Sequence, residues 1–225
     1  MSLSVDNLQV INEEKKKYLI ELFSGSGTVS TIAKATGYKT TSIDIEEKYK
    51  PDIVKDIMKL SIHNLPDSSK TFIIWASLPC TYYSILNAKD HWTNLRYAHR
   101  QYYYLPKTKE AIQSILLLEK VLWLIKKINP VYYFIENPRG VLRHVPQMKA
   151  IPFRSTVSYA DYEANVYKPT DIFHNCPFLS LTKLSNSVGK SFSGSVAKMN
   201  NAFSRSIVPP CLVQSILSQI EEKHF

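Results

Sequence analysis

The chain has 225 residues, 44% of them hydrophobic, which suffices for one well-buried core and is short for two full domains. Its 28 Lys and Arg against 19 Asp and Glu give a formal charge of +9 and a pI near 9.3, a balance that favours a polyanionic partner, nucleic acid first and an anionic membrane second. A generically basic soluble protein fits the same numbers. No apolar run approaches the roughly 20 residues of a membrane span, and the first residues, MSLSVDNLQVINEEKKK, lack the apolar centre of a signal peptide. Cys80, Cys176 and Cys211 are too few and too scattered for a disulfide framework, and none is paired at zinc-ligand spacing. A metal-free protein in a reducing, intracellular compartment is therefore expected.

Residues 1–14 read as a polar lead-in, and residues 17–23 (KYLIELF) as a short buried strand. Ser24-Gly25-Ser26-Gly27-Thr28 follows, and then VSTIAKATGY at helical spacing with Gly37 placed to stop it. Residues 40–45 (TTSIDI) and 71–76 (TFIIWA) read as the second and third strands. A helix over residues 107–128 carries apolar positions at Ile112, Ile115, Leu116, Leu122 and Ile125, and Asn129-Pro130 ends it. Residues 131–135 (VYYFI) form a fourth strand. Strands alternating with helices predict an α/β fold, a mostly parallel sheet with helices on both faces. From Ile172 through Ile220 there is no acidic residue, while Lys183, Lys190, Lys198 and Arg205 occur. That stretch reads as a small nucleic-acid-facing appendage or, equally, a solvated loop. Pro209-Pro210 is suited to start a closing helix. The expected division is 1–172 catalytic, 173–204 target recognition and 205–225 a helix returning to the first unit.

Four stretches carry chemistry. Glycine is scarce, six in all, yet Gly25 and Gly27 share one turn between a strand and a helix, the arrangement of an anion cradle. Asp44 ends the second strand 19 residues after Gly25, where doubly wound folds place a carboxylate on ribose hydroxyls. Asp56 could accept a hydrogen bond from an adenine amino group; for both acids a solvated surface role is the plain alternative. Cys80, in Leu78-Pro79-Cys80-Thr81, lies just past a buried strand, at the edge where α/β proteins bind ligands. A lone cysteine is more often a small core residue, but Pro79 and the polar and aromatic residues beyond make this a loop. Glu136, in Phe134-Ile135-Glu136-Asn137, ends another strand at the same edge, where a carboxyl can donate a proton or hydrogen bond.

In this order the motifs resemble those of the cytosine-5 DNA methyltransferase family, in particular its compact, phage-type members. Phe23 to Gly27 resembles the family's Phe-x-Gly-x-Gly, Pro79, Cys80 and Ser84 its Pro-Cys motif, and Glu136-Asn137 its Glu-Asn motif. Residues 167–173 (YKPTDIF) resemble the Lys-Pro-Thr stretch of the compact branch, and residues 205–210 (RSIVPP) the last motif, so the likeness spans residues 17–217. It implies a Rossmann-like fold that uses S-adenosyl-L-methionine, and DNA as the partner. Phe23 would stack on the cofactor's adenine, Asp44 and Ile45 would meet its ribose and Asp56 its amino group, while Ser24, Gly25, Ser26, Gly27 and Pro79 would line the rest. Cys80 would attack carbon 6 of a flipped-out cytosine, with Glu136 and Asn137 completing the catalytic set. Leu78, Thr81 and Pro138 depart from the usual residues. The family's paired arginines have no counterpart in YADYEANVYKPT, which leaves Lys168 or Arg139 to help grip the base. An RNA (tRNA) cytosine-5 methyltransferase and a catalytically silent nucleic-acid-binding subunit are the alternatives, and a monomer is favoured.

Residues 81–106 fit a mobile loop over the substrate, in which Lys89, Arg96 and Arg100 interleave with Trp92, Tyr97, Tyr102, Tyr103 and Tyr104. The alternative is that the tyrosines pack beneath it. If Ser84, Arg96 and Arg100 face nucleic acid, replacing both arginines by alanine will weaken binding. It will also flatten the salt dependence by roughly 0.9 per lost phosphate contact. Titrations at several salt concentrations measure this, and an unchanged slope removes these arginines from the interface.

Overall fold

A computed structural model describes residues 17–65, 71–85, 88–96, 102–164, 166–181 and 207–225. In chain order the elements are β1 (Tyr18–Leu22), α1 (Thr28–Ala35), β2 (Lys39–Asp44), β3 (Ile53–Val54), β4 (Ile73–Ser77), α2 (Ala88–His91), β5 (Trp92–Arg96) and β6 (Tyr102–Pro106). They continue as α3 (Lys109–Ile128), β7 (Tyr132–Pro138), β8 (Phe153–Ser158), β9 (Pro169–His174) and α4 (Pro210–His224). Seven strands form one sheet in the order β3-β2-β1-β4-β7-β9-β8, and β5 and β6 form a separate hairpin. The first five sheet strands are parallel, and β9 runs antiparallel to both β7 and β8.

The central strands are apolar throughout because both faces of the sheet are covered. Successive residues point to opposite sides. Ile20, Ile74, Ala76 and Ile135 pack with Leu118, Val121, Leu124 and Ile125 of α3. Their neighbours Leu19, Ile73, Trp75 and Phe134 pack with Val29 and Ala33 of α1 and Leu212, Val213, Ile216 and Leu217 of α4. Local signals set the helix ends. Thr108 caps α3 by accepting from Ala111 N at 3.3 Å, and Asn129 closes it with φ of 51°, a left-handed conformation asparagine tolerates. Proline begins α4 at Pro210, one residue after Pro209 caps it. Lys17, before β1, is paired with Glu221 on α4, so the closing helix is tied to the first strand. Of the expected 173–204 segment, residues 182–204 lie outside the described residues.

The structure differs from the expected loop at 81–106. Its described part folds into α2 and the β5–β6 hairpin, with Trp92 paired to Pro106 and Leu95 to Tyr103. Trp92 is buried, donates from Nε1 to Tyr82 O at 2.5 Å, and stacks on Tyr83 with ring centroids 5.7 Å apart. Tyr104 packs against the core, and the Lys149 ammonium lies 4.0 Å from the Tyr103 ring centroid. Trp92 and Tyr104 pack the hairpin against the domain. Tyr97 and Arg100 lie outside the described residues.

Strands β8 and β9, not expected from the sequence, extend the sheet beyond β7 and bring Asn137, Asp171 and Thr156 into register. Arg143, in the turn after β7, donates from Nε to Asp171 Oδ2 at 2.9 Å and forms an ion pair with Oδ1 of the same carboxylate. Thr156 Oγ1 donates to Asp171 Oδ1 at 2.7 Å. Asp171 is 1% exposed, so its replacement by alanine strands a guanidinium in the interior. The expected cost is about 3 kcal/mol of stability, read by urea denaturation; the double replacement Arg143→Met with Asp171→Leu should cost less.

Candidate active site

The turn after β1 is built on backbone that side chains disfavour. Phe23, Gly25 and Gly27 have φ of 59°, 47° and 67°, a region glycine enters freely and other residues enter under strain. Ser24 N donates to Ile43 O at 3.0 Å and Gly27 N to Ser24 O at 2.7 Å, which folds the turn against β2. Asp44 links the two loops: its Oδ2 accepts from Gly25 N at 2.8 Å and its Oδ1 from Glu46 N at 2.9 Å. No atom outside the turn lies within 4 Å of where a Cβ would stand on Gly25 or Gly27, so the glycine face is open to a ligand.

Beside this turn Cys80 follows β4, and its thiol-bearing residue is exposed. The loop is anchored at both ends. Tyr83 N and Ser84 N donate to Cys80 O at 3.1 and 3.0 Å. Tyr83 is 1% exposed, and its hydroxyl donates to Ser114 O of α3 at 2.7 Å. Burial pushes that phenol up to about 12, so it remains a donor. On the other side Asn137 Nδ2 donates to Leu78 O at 2.9 Å. Gly140 is required here for a different reason: a Cβ would come 2.2 Å from Tyr83 O, while Val141 N donates to that same oxygen at 2.8 Å. The loop after β7 and the loop carrying Cys80 thus touch through backbone, where no side chain fits.

Glu136 lies on β7 opposite Ser77 of β4 on one side and Ile172 of β9 on the other. It is buried, and its Oε1 accepts from the Tyr159 hydroxyl at 2.7 Å. Lys168 Nζ stands 3.7 Å from the same oxygen and 4.4 Å from the Tyr159 ring centroid. Burial, and then the Glu136 charge, hold the Tyr159 phenol far above its ordinary value, so it stays protonated. Glu21, at the end of β1, is also buried, with Oε2 accepting from Ser30 N at 2.8 Å. Burial pushes this carboxyl from 4.5 up to about 7; hydrogen bonds from Ser30 and Val29 pull it down, and Asp44 adds a smaller upward push.

One cleft gathers Glu21, Phe23, Ser24, Gly25, Ser26, Pro79, Cys80, Glu136 and Lys168. Asn137 sits just behind it, holding the Cys80 loop. Gly27 begins α1 as its cap. Asp44 and Ile45 sit at the end of β2, outside the cleft's lining, with Ile45 exposed. Asp56 caps the turn Ile57–Lys59, accepting from Met58 N at 2.9 Å. Of the two cations weighed against the missing arginines, Lys168 reaches Glu136, whereas Arg139 is exposed and engages Pro169 O through its backbone N–H. Arg96 is placed only by its backbone, opposite Tyr102 in the hairpin. Sequence reading missed Glu21, Tyr159 and Gly140 as parts of the site. Glu21 alone left a trace, an acid inside an otherwise apolar strand; nothing marked the other two.

The donor set fits S-adenosylmethionine: an aromatic ring at Phe23, an open glycine turn, a carboxylate at the end of β2, and an uncompensated acid on the cleft floor. Among the described residues no group of three or more His, Cys, Asp or Glu could hold a metal ion, and no helix is long and apolar enough to cross a membrane.

No protein-family model matches the chain, and no curated sequence does. Solved structures do match. A methyltransferase of Entamoeba histolytica, EhMeth, aligns at 19% identity and a TM-score of 0.50, over 76% of this chain and 56% of that one. The Dnmt2 methyltransferase of S. pombe aligns at 14% identity and a TM-score of 0.47, over 75% and 53%. An E. coli prophage protein assigned as a DNA modification methyltransferase aligns at 14% and 0.46, over 71% and 46%. The chain spans about half the length of these structures. The protein has the α/β fold of a methyltransferase, with a seven-stranded, mostly parallel sheet.

The raised Glu21 carboxyl has a consequence for stability. Its protonated form is favoured in the folded chain, so that contribution is complete below pH 4.5 and is lost as pH rises through about 7. Glu21→Gln should remove this decline, and the gap between variant and wild type should grow by up to about 3 kcal/mol from pH 5 to pH 8. Urea denaturation at both pH values measures it.

Proposed function

We propose that this protein transfers a methyl group from S-adenosylmethionine to carbon 5 of cytosine in nucleic acid, with DNA as the substrate. One observation carries the proposal: an exposed thiol, Cys80, and a buried, hydrogen-bonded carboxyl, Glu136, line one cleft beside an open glycine turn. The formal charge of +9 supports a polyanionic substrate.

Carbon 5 of cytosine is a poor nucleophile in the aromatic ring. Addition of a sulfur nucleophile at carbon 6 breaks the aromaticity and shifts the displaced electron pair onto carbon 5 and ring nitrogen 3. Cys80 is the nucleophile in this scheme, its thiol proton leaving as the sulfur–carbon bond forms. Glu136, as the protonated acid, donates to ring nitrogen 3, where negative charge accumulates during addition, and can accept from the exocyclic amine. Asn137 holds the Cys80 loop through Leu78 O, so thiol and carboxyl keep a fixed relation. Bound S-adenosylmethionine supplies an electrophilic methyl group on a sulfonium. Phe23, the turn of Ser24, Gly25, Ser26 and Gly27, Glu21 and Pro79 would hold it, with Asp44 and Ile45 toward the ribose and Asp56 toward the adenine. After substitution, loss of the carbon-5 proton returns the electron pair, expels the Cys80 sulfur and restores the ring. The base must leave the duplex stack for its carbon 6 to be reached. In this scheme residues 1–172 are the catalytic unit, 173–204 the recognition segment, and 205–225 the helix that returns to the sheet; Ser84, Arg96, Arg100, Arg139 and Lys168 serve the substrate.

The test supplies methyl-labelled S-adenosylmethionine with DNA or with tRNA, then digests the product and identifies the labelled nucleoside. Label in 5-methylcytosine of DNA is expected. Label in tRNA alone moves the substrate to RNA, and no label with intact cofactor binding leaves a silent nucleic-acid-binding protein. DNA carrying 5-fluorocytosine blocks the final elimination, so wild type should be trapped covalently and Cys80→Ala should not. Equal trapping of the two overturns the assignment of the nucleophile.

A further inference from the structure

Resting on the reading above, we propose that Tyr159 is a positioning residue for Glu136: with Lys168 it pins one carboxylate oxygen and leaves the other to meet the target base. Two contacts fall on the same oxygen, Oε1: the Tyr159 hydroxyl at 2.7 Å and the Lys168 ammonium at 3.7 Å. Glu136 lines the cleft that also holds Cys80. A carboxyl fixed through one oxygen cannot rotate to exchange its two oxygens without breaking the bond to Tyr159, so the direction of Oε2 is set in advance. A direction set in advance lets Oε2, once it carries a proton, donate to the ring nitrogen on which negative charge develops.

The surroundings hold the Tyr159 hydroxyl in place, with the Thr170 side chain also hydrogen-bonded to it. Tyr159 is 1% exposed, caught between β8 and the turn that follows it, among Val157, Tyr162, Val166 and Ile172. The ammonium of Lys168 sits over its ring, 4.4 Å from the centroid, and Lys168 is itself only 5% exposed. The three side chains form one buried unit of carboxylate, phenol and ammonium. The phenol orients, and the ammonium balances the carboxylate's charge, so that neither ion is stranded in the interior. Tyr159 and Lys168 both lie in the stretch YADYEANVYKPT, where the family's paired arginines have no counterpart.

Tyr159→Phe removes one hydroxyl and keeps the ring, so it tests the role with the least disturbance of the core. Two measurements are made on the full chain. The first is the infrared difference spectrum of Tyr159→Phe against wild type in the carboxylate-stretch region, repeated in a Glu136→Gln background. A band that shifts in the first pair and is missing in the second is expected; no such band overturns the proposal. The second is steady-state methylation of a cytosine-containing oligonucleotide, with thermal midpoints recorded for both proteins. The expected result is a fall in kcat of about tenfold or more with KM changed less than about twofold. An unchanged kcat, or a loss that follows KM and the thermal midpoint together, overturns the positioning role. A wild type that methylates neither DNA nor tRNA overturns the function on which the role rests. That failure is distinct, because the infrared band reports the Tyr159–Glu136 bond whether or not turnover occurs.

Discussion

The site depends on the alignment of three parallel strands. β1 pairs with β4 so that Leu22 stands opposite Ala76, and β4 pairs with β7 so that Ser77 stands opposite Glu136. The order β3-β2-β1-β4-β7 reverses direction of growth between β1 and β4, and at such a switch point the loops leaving neighbouring strands diverge and open a crevice. The glycine turn leaves one strand there, the Cys80 loop leaves the next, and Glu136 ends a third. A slip of one residue in the β4–β7 pairing would turn Glu136 to the opposite face of the sheet and away from the cleft, and a slip of β1 against β4 would do the same to Glu21.

That alignment is held by burial on both faces. Helix α3 covers one side, and α1 with α4 cover the other. Because alternate residues of each central strand feed different cores, the register is overdetermined: shifting a strand would exchange its two apolar sets and misfit both. Most of the buried polar residues near the site have a partner, although Asn137 Oδ1 has none among the described residues. Glu136 meets Tyr159 and Lys168, Asp171 meets Arg143 and Thr156, and Asn137 meets Leu78 O. Glu21 is the exception in kind: among the described residues it has hydrogen-bond donors but no ion-pair partner, and burial pushes it up to about 7. Its acid character would be relieved by a positively charged ligand, which is the nature of the proposed cofactor.

The antiparallel pair β8 and β9 adds chemistry to what would otherwise be a sheet edge. The turn after β8 supplies Tyr159, and the residue before β9 is Lys168. Their backbones are tied directly, Tyr159 N donating to Lys168 O at 3.2 Å. Residues distant from the glycine turn in sequence therefore close the cleft from the far side. The Cys80 loop gains rigidity from an equally indirect source, the contact of Gly140 with Tyr83 O and the anchoring of Tyr83 on α3.

Much of this was determined by the sequence alone. Alternation of short apolar runs with helical spacing defined β1, β2, β4 and β7 of the parallel part of the sheet, though not the short β3, with ends within two or three residues of those observed. The scarcity of glycine made Gly25 and Gly27 conspicuous, and the order of Phe23 to Gly27, Pro79-Cys80 and Glu136-Asn137 named residues most of which the fold brings to one cleft. These features are local, written in propensity, in backbone demands and in neighbouring residues. What the sequence left open is of another kind. The β5–β6 hairpin looked like a free loop, because its Trp92 and Tyr104 are identified as core only by what they pack against. Strands β8 and β9 are marked by their pairing more than by their composition. Between Arg139 and Lys168, equal candidates by charge, only the fold decided which stands against Glu136. Tyr159 carried no signal, since a tyrosine becomes a hydrogen-bond donor to one particular carboxylate only when tertiary packing buries the two together.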